Sequence, residues 1–135
     1  MKLCSTISSA LLASMLVFTA PADATSCVTG PFVLFFEAEA PFITKDARKT
    51  LDLVIDQVGG CGYGRTVVIG HTDTKEDSAL ARKRAEVVRD YMAAHGVPGS
   101  DIVVQSYGST RPRVTTGPHV SEPRNRRVEI MVSQP

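Results

Sequence analysis

Hydrophobic and polar positions follow two periodicities along the chain, and together they predict four strands and two helices. The predicted strands are residues 32–36, 66–69, 101–107 and 127–132. The first is a continuous apolar run, which is typical of a central strand buried on both faces. Apolar residues three and four apart predict a helix that begins after an N-cap at Thr44 and runs through Val58, and a second helix over residues 78–95. Strands that alternate with helices predict a two-layer α+β fold, β-α-β-α-β-(loop)-β, in which both helices pack on one mixed sheet.

One residue of the second predicted helix lies on the wrong face. At about 100° per residue, the apolar side chains of this helix form one arc and most charged side chains form the other, but Arg84 falls between Leu80 and Val88 in the apolar arc. A buried guanidinium is costly unless it is paired. The candidate partner outside the helix is Asp73, at the carboxyl end of the strand at 66–69. Asp73 and Arg84 therefore form a candidate site.

The N-terminus has the features of an export signal. Lys2 precedes an apolar run at residues 10–20, and Ala22, Asp23 and Ala24 form a cleavage motif of the A-x-A kind. We therefore predict a signal peptide at residues 1–24 and one mature domain at residues 25–135. A membrane anchor is disfavoured because the apolar run is short for a bilayer. A lipoprotein that starts at Cys27 is a weaker alternative, because Ala24 stands where lipoprotein signals carry a large aliphatic residue.

Charge and cysteine content limit the classes of partner. The chain has 135 residues and a net charge of +1, so no excess of positive charge attracts nucleic acid or acidic membranes. Cys27 and Cys61 are the two cysteines beyond the predicted signal peptide, and in an oxidising compartment we expect them to form a disulfide. Their spacing is not that of a metal site, and we expect no metal and no cofactor.

Five short motifs, in order, resemble the OmpA-like C-terminal domain of porin tails, peptidoglycan-associated lipoproteins and flagellar stator proteins. They are residues 69–73 (IGHTD), 80–88 (LARKRAEVV), 91–97 (YMAAHGV), 107–112 (YGSTRP) and 125–130 (NRRVEI). The resemblance covers essentially the whole mature chain. It implies a non-catalytic domain that binds peptidoglycan in the periplasm, associated with the wall or the outer membrane.

The resemblance also implies roles for individual residues. The family's aspartate and arginine, here Asp73 and Arg84, hold the diaminopimelate of the stem peptide. This ligand carries an ammonium and a carboxylate at its free end, which a carboxylate and a guanidinium fork recognise. The candidate rim of the pocket consists of His71, Thr72, Leu80, Asn125 and Arg126.

The chain departs from the family pattern at two places. Residues 74–79 are a shorter segment than usual and lack the family's glycine and asparagine, and this segment normally forms one wall of the pocket. The family's glycine-arginine pair before the last strand is replaced by Glu122, Pro123 and Arg124. Two alternatives therefore stand beside peptidoglycan binding. One is an interaction domain, docking on an envelope membrane protein, that has lost wall binding; the other is a small periplasmic enzyme that uses His71 and Asp73.

Overall fold

The computed structural model describes residues 27–134, in which two α-helices pack on one face of a four-stranded sheet. The elements are β1 (Phe32–Phe35), α1 (Lys45–Cys61), β2 (Arg65–His71), α2 (Ala79–Ala94), β3 (Ile102–Gly108) and β4 (Arg127–Ser133). Short 3₁₀ turns at Gly99–Asp101 and Pro123–Asn125 precede β3 and β4. The predicted two-layer fold is confirmed. The predicted signal peptide at residues 1–24 lies outside the described residues.

The sheet has the strand order β1-β4-β2-β3 and is mixed. β2 and β3 are parallel, as expected for strands joined by a crossover helix, and β4 runs antiparallel to both β1 and β2. The prediction that the first apolar run is a central strand is wrong, because β1 is an edge strand of four residues. Leu34 faces the helices and is buried, whereas Phe35 on the other face is 45% exposed. A short apolar run therefore does not distinguish an edge strand, which has one buried face, from a central strand, which has two.

Helix α1 begins as predicted and ends later than predicted. The side chain of Thr44 accepts a hydrogen bond from the Ala47 N–H, which is an N-cap bond. The helix does not stop at Val58 but continues through the two glycines to Cys61, and Gly62 terminates it in a left-handed conformation at φ +63°. The predicted disulfide joins Cys61 to Cys27, which ties the N-terminal segment to this helix end.

Helix α2 approaches β2 very closely at one point. A Cβ atom added to Gly70 would lie 1.8 Å from the carbonyl oxygen of Ala81, so only glycine fits there. This contact places the first turns of α2 directly over the carboxyl end of β2. Arg84 is thereby held above the segment that carries Asp73.

The main hydrophobic core lies between the helices and the inner face of the sheet. Its most deeply buried members are Leu34, Leu51, Val54, Val68, Ala85, Val88, Met92, Val128 and Ile130. No helix in residues 27–134 combines the length and apolar character needed to cross a membrane.

Candidate functional site

Arg84 is completely buried, as the helical periodicity predicted, and all of its hydrogen-bond donors are used. Nε donates to the carbonyl oxygen of Ala40 at 3.0 Å, and the two terminal nitrogens donate to the carbonyl oxygens of His71 and Glu37 at 3.3 and 2.9 Å. Both terminal nitrogens also donate to the carboxylate of Glu76, at 2.7 and 2.6 Å. A guanidinium has five N–H groups, and five bonds are formed.

The partner of Arg84 is therefore Glu76, and the expectation that Asp73 fills this role is wrong. Glu76 and Arg84 form a bidentate pair whose side chains are 1% and 0% exposed. Glu76 lies in the short segment between β2 and α2, and its backbone N–H donates a hydrogen bond to Oδ1 of Asp73. Helical periodicity predicted that Arg84 is buried. It could not predict the partner of Arg84, because that depends on the conformation of residues 74–79.

Asp73 has a different cation as its partner. Its Oδ2 accepts from Nη1 of Arg126 and from the Glu122 N–H, both at 3.1 Å, and its Oδ1 accepts from the Lys75 and Glu76 N–H groups, both at 3.0 Å. Asp73 is 1% exposed. It thus connects the β2–α2 segment to the loop that precedes β4.

These contacts decide the protonation of Asp73. Burial by itself raises the pKa of this carboxyl, but the hydrogen bond from the Arg126 guanidinium and those from the Glu122, Glu76 and Lys75 N–H groups outweigh it, so the pKa is lowered. Asp73 is an ionised carboxylate at neutral pH.

The Glu76 carboxylate has four donors arranged around it. Besides the two bonds from Arg84, Oε1 accepts from the Glu39 N–H at 2.8 Å, and the Asp73 N–H points to Oε2 at 3.4 Å. A guanidinium fork with two backbone N–H groups is a typical carboxylate-binding arrangement. In this structure the carboxylate comes from the chain itself.

The predicted rim residues are brought to this end of the sheet but play several roles. Arg84, Glu76, Asp73 and Arg126 form one buried polar network. Arg126 also donates to the Phe36 carbonyl oxygen and the Ser121 hydroxyl. Asn125 is fully buried and holds the loop before β4, because its amide bonds the Arg113 N–H and both main-chain groups of Val114. Leu80 is half-buried in the first turn of α2.

His71 and Thr72 contribute backbone groups to this region. The His71 carbonyl oxygen accepts from Arg84, and the Thr72 N–H donates to the Gly108 carbonyl oxygen at 2.9 Å. The His71 ring lies 5.9 Å from the Tyr107 ring, and within residues 27–134 neither of its nitrogens has a hydrogen-bond partner. Burial, followed by the charge of Arg127, lowers the pKa of His71 to about 4, so the imidazole is neutral.

The acid-base pair required by the enzyme alternative is not assembled in this structure. The His71 ring makes no hydrogen bond to Asp73, and both oxygens of Asp73 are already bonded to donors. Among the residues that the structure describes, no group of three or more His, Cys, Asp or Glu side chains is placed to hold a metal.

Sequence reasoning missed two contributors to the site. One is Glu76, and the signal for it is an acidic residue in the short segment next to a buried arginine. Thr74 was also missed: its hydroxyl bonds the Gly117 carbonyl oxygen at 2.7 Å and the Val120 N–H at 3.0 Å. It fastens the beginning of the segment to the long loop, which no motif indicated.

A groove of about 570 Å³ adjoins the network. It lies between β1, the start of α1 and the turn at Pro123–Asn125, and Glu37 and Arg126 line it. Glu37 accepts a hydrogen bond from Arg84, and Arg126 pairs with Asp73. The polar network therefore borders a groove that is large enough for a small ligand.

Fold and site together define a small two-layer domain with two buried ion pairs, Arg84–Glu76 and Arg126–Asp73, at the carboxyl end of the central strand β2. The OmpA family model matches residues 35–126, and the chain belongs to the OmpA family. Over 115 residues it is 32% identical to the peptidoglycan-binding protein ArfA of Mycobacterium tuberculosis, covering 82% of this chain and 35% of that protein. Over 100 residues it is 35% identical to the peptidoglycan-associated lipoprotein of Pseudomonas aeruginosa, covering 71% of this chain and 59% of that protein.

Solved structures agree on the fold. The peptidoglycan-associated lipoprotein of Burkholderia pseudomallei superposes with a TM-score of 0.69 at 22% identity, over 82% of this chain and 97% of that one. The family resemblance and the two-layer fold predicted from sequence are confirmed. The fold and relatives are those of a non-enzymatic binding domain, and this chain spans only about a third of ArfA and three fifths of the Pseudomonas lipoprotein.

Proposed function

We propose that this chain binds peptidoglycan non-covalently in the periplasm, associated with the wall or the outer membrane, by recognising the diaminopimelate of the stem peptide. The observation that carries the proposal is the carboxylate receptor formed by Arg84 and two backbone N–H groups. Diaminopimelate presents a carboxylate suited to this fork, and an ammonium suited to Asp73. Membership of a family with peptidoglycan-binding relatives supports peptidoglycan as the polymer that is bound.

The compartment follows from the same proposal. A domain whose relatives are an envelope lipoprotein and a peptidoglycan-binding protein, with an intact disulfide, suits an oxidising space that contains the wall. A sulfur in a disulfide cannot also carry a lipid, so the Cys27–Cys61 disulfide supports the form without a lipid on Cys27. Docking onto an envelope membrane protein is a further proposed role of the exposed surface.

The test is cosedimentation of residues 25–135 with purified sacculi. Diaminopimelate-type and lysine-type sacculi are compared in parallel, because lysine lacks the terminal carboxylate that Arg84 is proposed to bind. We expect retention by the diaminopimelate type and markedly weaker retention by the lysine type. Equal retention by both would exclude diaminopimelate as the recognised group.

The second candidate, an interaction domain that has lost wall binding, is favoured by one observation. Arg84 and Asp73 are fully bonded within the chain, so neither offers a free group to a ligand in this conformation. No retention by either type of sacculus, with a folded protein, would favour this candidate.

A further inference from the structure

Glu76 makes the contacts that an amino-acid head group would make in the same place. Its backbone N–H donates to Oδ1 of Asp73 at 3.0 Å, and its side-chain carboxylate accepts both terminal nitrogens of Arg84 at 2.6 and 2.7 Å. One residue thus offers a nitrogen donor to the acidic half of the site and a carboxylate to the basic half. These two groups are the backbone nitrogen and the side-chain carboxylate, and a ligand that carries both an ammonium and a carboxylate offers the same two kinds of group.

We propose that Glu76 is an internal surrogate for the ligand's head group, and that a ligand binds by exchanging with it. This inference rests on the proposed function and deepens it, since it names the residue that competes with the ligand. The chemical class of ligand is an α-amino carboxylate, such as the free end of diaminopimelate.

Exchange is required because both charged centres of the site, Arg84 and Asp73, already have partners. The five donors of Arg84 are all bonded, and the Arg84 and Glu76 side chains are buried from solvent. An incoming carboxylate that displaces Glu76 inherits its bonds from Arg84 and from the Glu39 N–H. The number of bonds is then conserved, so the exchange is close to balanced and the affinity reflects the difference between the two carboxylates.

One local movement opens both halves of the site. If Lys75 and Glu76 swing away, the Arg84 fork loses its carboxylate and Oδ1 of Asp73 loses its two N–H donors. Oδ2 of Asp73 keeps its bonds to Arg126 and Glu122. The carboxylate freed on one side thus stays ionised and positioned to accept an ammonium.

Hydrogen bonds fix the chain on both sides of Lys75 and Glu76. On one side, Thr74 is fastened to the long loop through Gly117 and Val120. On the other, Asp77 bonds the Ala79 N–H at 2.8 Å and the Leu80 N–H at 3.0 Å, at the start of α2. The exchange therefore involves about two residues between fixed ends, which is a loop motion of the kind that gates binding sites.

The experiment compares the wild-type protein with Glu76→Gln and Glu76→Ala. The matched control is Glu86→Gln, which makes the same change in the exposed Arg82–Glu86 pair of α2. Two readouts are used: retention by diaminopimelate-type sacculi, and the thermal shift produced by free meso-diaminopimelate. Pimelate, which lacks the ammonium groups, and 1,5-diaminopentane, which lacks the carboxylates, are the chemical controls.

We expect Glu76→Ala and Glu76→Gln to bind sacculi on the order of tenfold more tightly than wild type, because removing the competitor raises the competent fraction. Diaminopimelate should raise the melting temperature of Glu76→Ala more than that of wild type, and more than pimelate or diaminopentane does. Glu86→Gln should match wild type. Should Glu76→Ala fail to fold, Glu76→Gln keeps the shape of the side chain and carries the test.

The outcomes separate the two proposals. Retention of wild type and the Glu76 variants with equal affinity would overturn the surrogate role and leave peptidoglycan binding standing. Absence of retention for every variant, with a diaminopimelate-specific thermal shift for Glu76→Ala, would overturn peptidoglycan binding and support the surrogate role. Weaker retention of folded Glu76 variants would show that Glu76 assists the ligand, which contradicts the inference.

Discussion

The two charged residues singled out by sequence are both buried, and they pair with two other residues rather than with each other. Arg84 pairs with Glu76, and Asp73 pairs with Arg126. Glu76 joins the two pairs, since its N–H donates to Asp73 while its carboxylate binds Arg84. A substitution that removes one charged side chain of these pairs is therefore expected to affect stability as well as binding.

The Arg84–Glu76 pair gives a prediction about stability. Removing one partner leaves the other charge buried, so Glu76→Leu should lower the free energy of unfolding by about 3–5 kcal/mol. Replacing both, as Arg84→Met with Glu76→Leu, should cost much less, because it removes both charges from a buried site. Urea denaturation of the two single variants and the double variant measures this coupling.

The exposed pair on α2 is the control for that experiment. Removing either partner of Arg82–Glu86, at 3.0 Å but with Arg82 exposed and Glu86 only partly buried, should cost less than about 1 kcal/mol. Additive losses at Arg84 and Glu76 would mean that the buried pair is not coupled as its geometry indicates.

His71 gives a prediction about pH. Its pKa is lowered to about 4 in the folded protein from 6.5, because burial and the nearby Arg127 charge disfavour the imidazolium, with Arg111 adding to this effect and Glu129 opposing it. Between these values the unfolded chain binds the extra proton, so stability is fully present above pH 6.5 and falls as pH drops toward 4. The loss should amount to roughly 3 kcal/mol across that window.

Denaturant titrations at several pH values test this assignment. His71→Gln should flatten the decline between pH 6.5 and 4, while the contribution of Asp73, whose lowered pKa acts only below its ordinary range, remains. An unchanged slope in His71→Gln would assign the decline to other groups.

At the scale of elements, periodicity and caps predicted what depends on local sequence. The Thr44 cap, the inward face of α2 and the order of strands and helices all follow from spacing and side-chain type. The edge position of β1 and the strand order depend on pairing between distant residues, which spacing does not encode. The continuation of α1 past Gly59 is also non-local, since the disulfide at Cys61 holds that last turn.

The β2–α2 contact gives a prediction for one glycine. A Cβ at Gly70 would meet the backbone of Ala81, which cannot rotate away, so Gly70→Ala should lower the unfolding free energy by about 3 kcal/mol or more. Gly99→Ala is the control, because among residues 27–134 no atom beyond the adjacent residues lies within 4 Å of its added Cβ. Thermal unfolding of both variants compares the two sites, and a mild effect at Gly70 would mean that α2 can shift outward at little cost.

At the scale of the whole molecule, one covalent link joins the N-terminal segment to the end of α1. Cys27 and Cys61 are 34 residues apart. In the chain-entropy account, a disulfide across a loop of that length lowers the entropy of the unfolded chain and so stabilises the fold by about 4 kcal/mol. Cys27→Ser with Cys61→Ser should lower the urea midpoint accordingly. A midpoint that is unchanged would show that the link does not constrain the unfolded chain.

Family membership was readable from the sequence because its motifs lie on the strand ends and helix faces that the fold requires. The pairing of Glu76 with Arg84 could not be predicted from the sequence, because the conformation of residues 74–79 depends on contacts between Thr74 and the distant residues Gly117 and Val120. The whole domain thus keeps the family's architecture, and Glu76 of the same chain pairs with its buried arginine.

The most direct test of peptidoglycan recognition through Arg84 is the dissociation constant of Arg84→Met with Glu76→Leu for diaminopimelate-type sacculi. This double variant removes the carboxylate receptor and its internal occupant together, and it avoids a lone buried charge. The matched control, Arg82→Met with Glu86→Leu, removes an exposed pair from the same helix. Retention that is lost in the first and kept in the second is the predicted result, and undiminished retention of the first as a folded protein would contradict the role of Arg84.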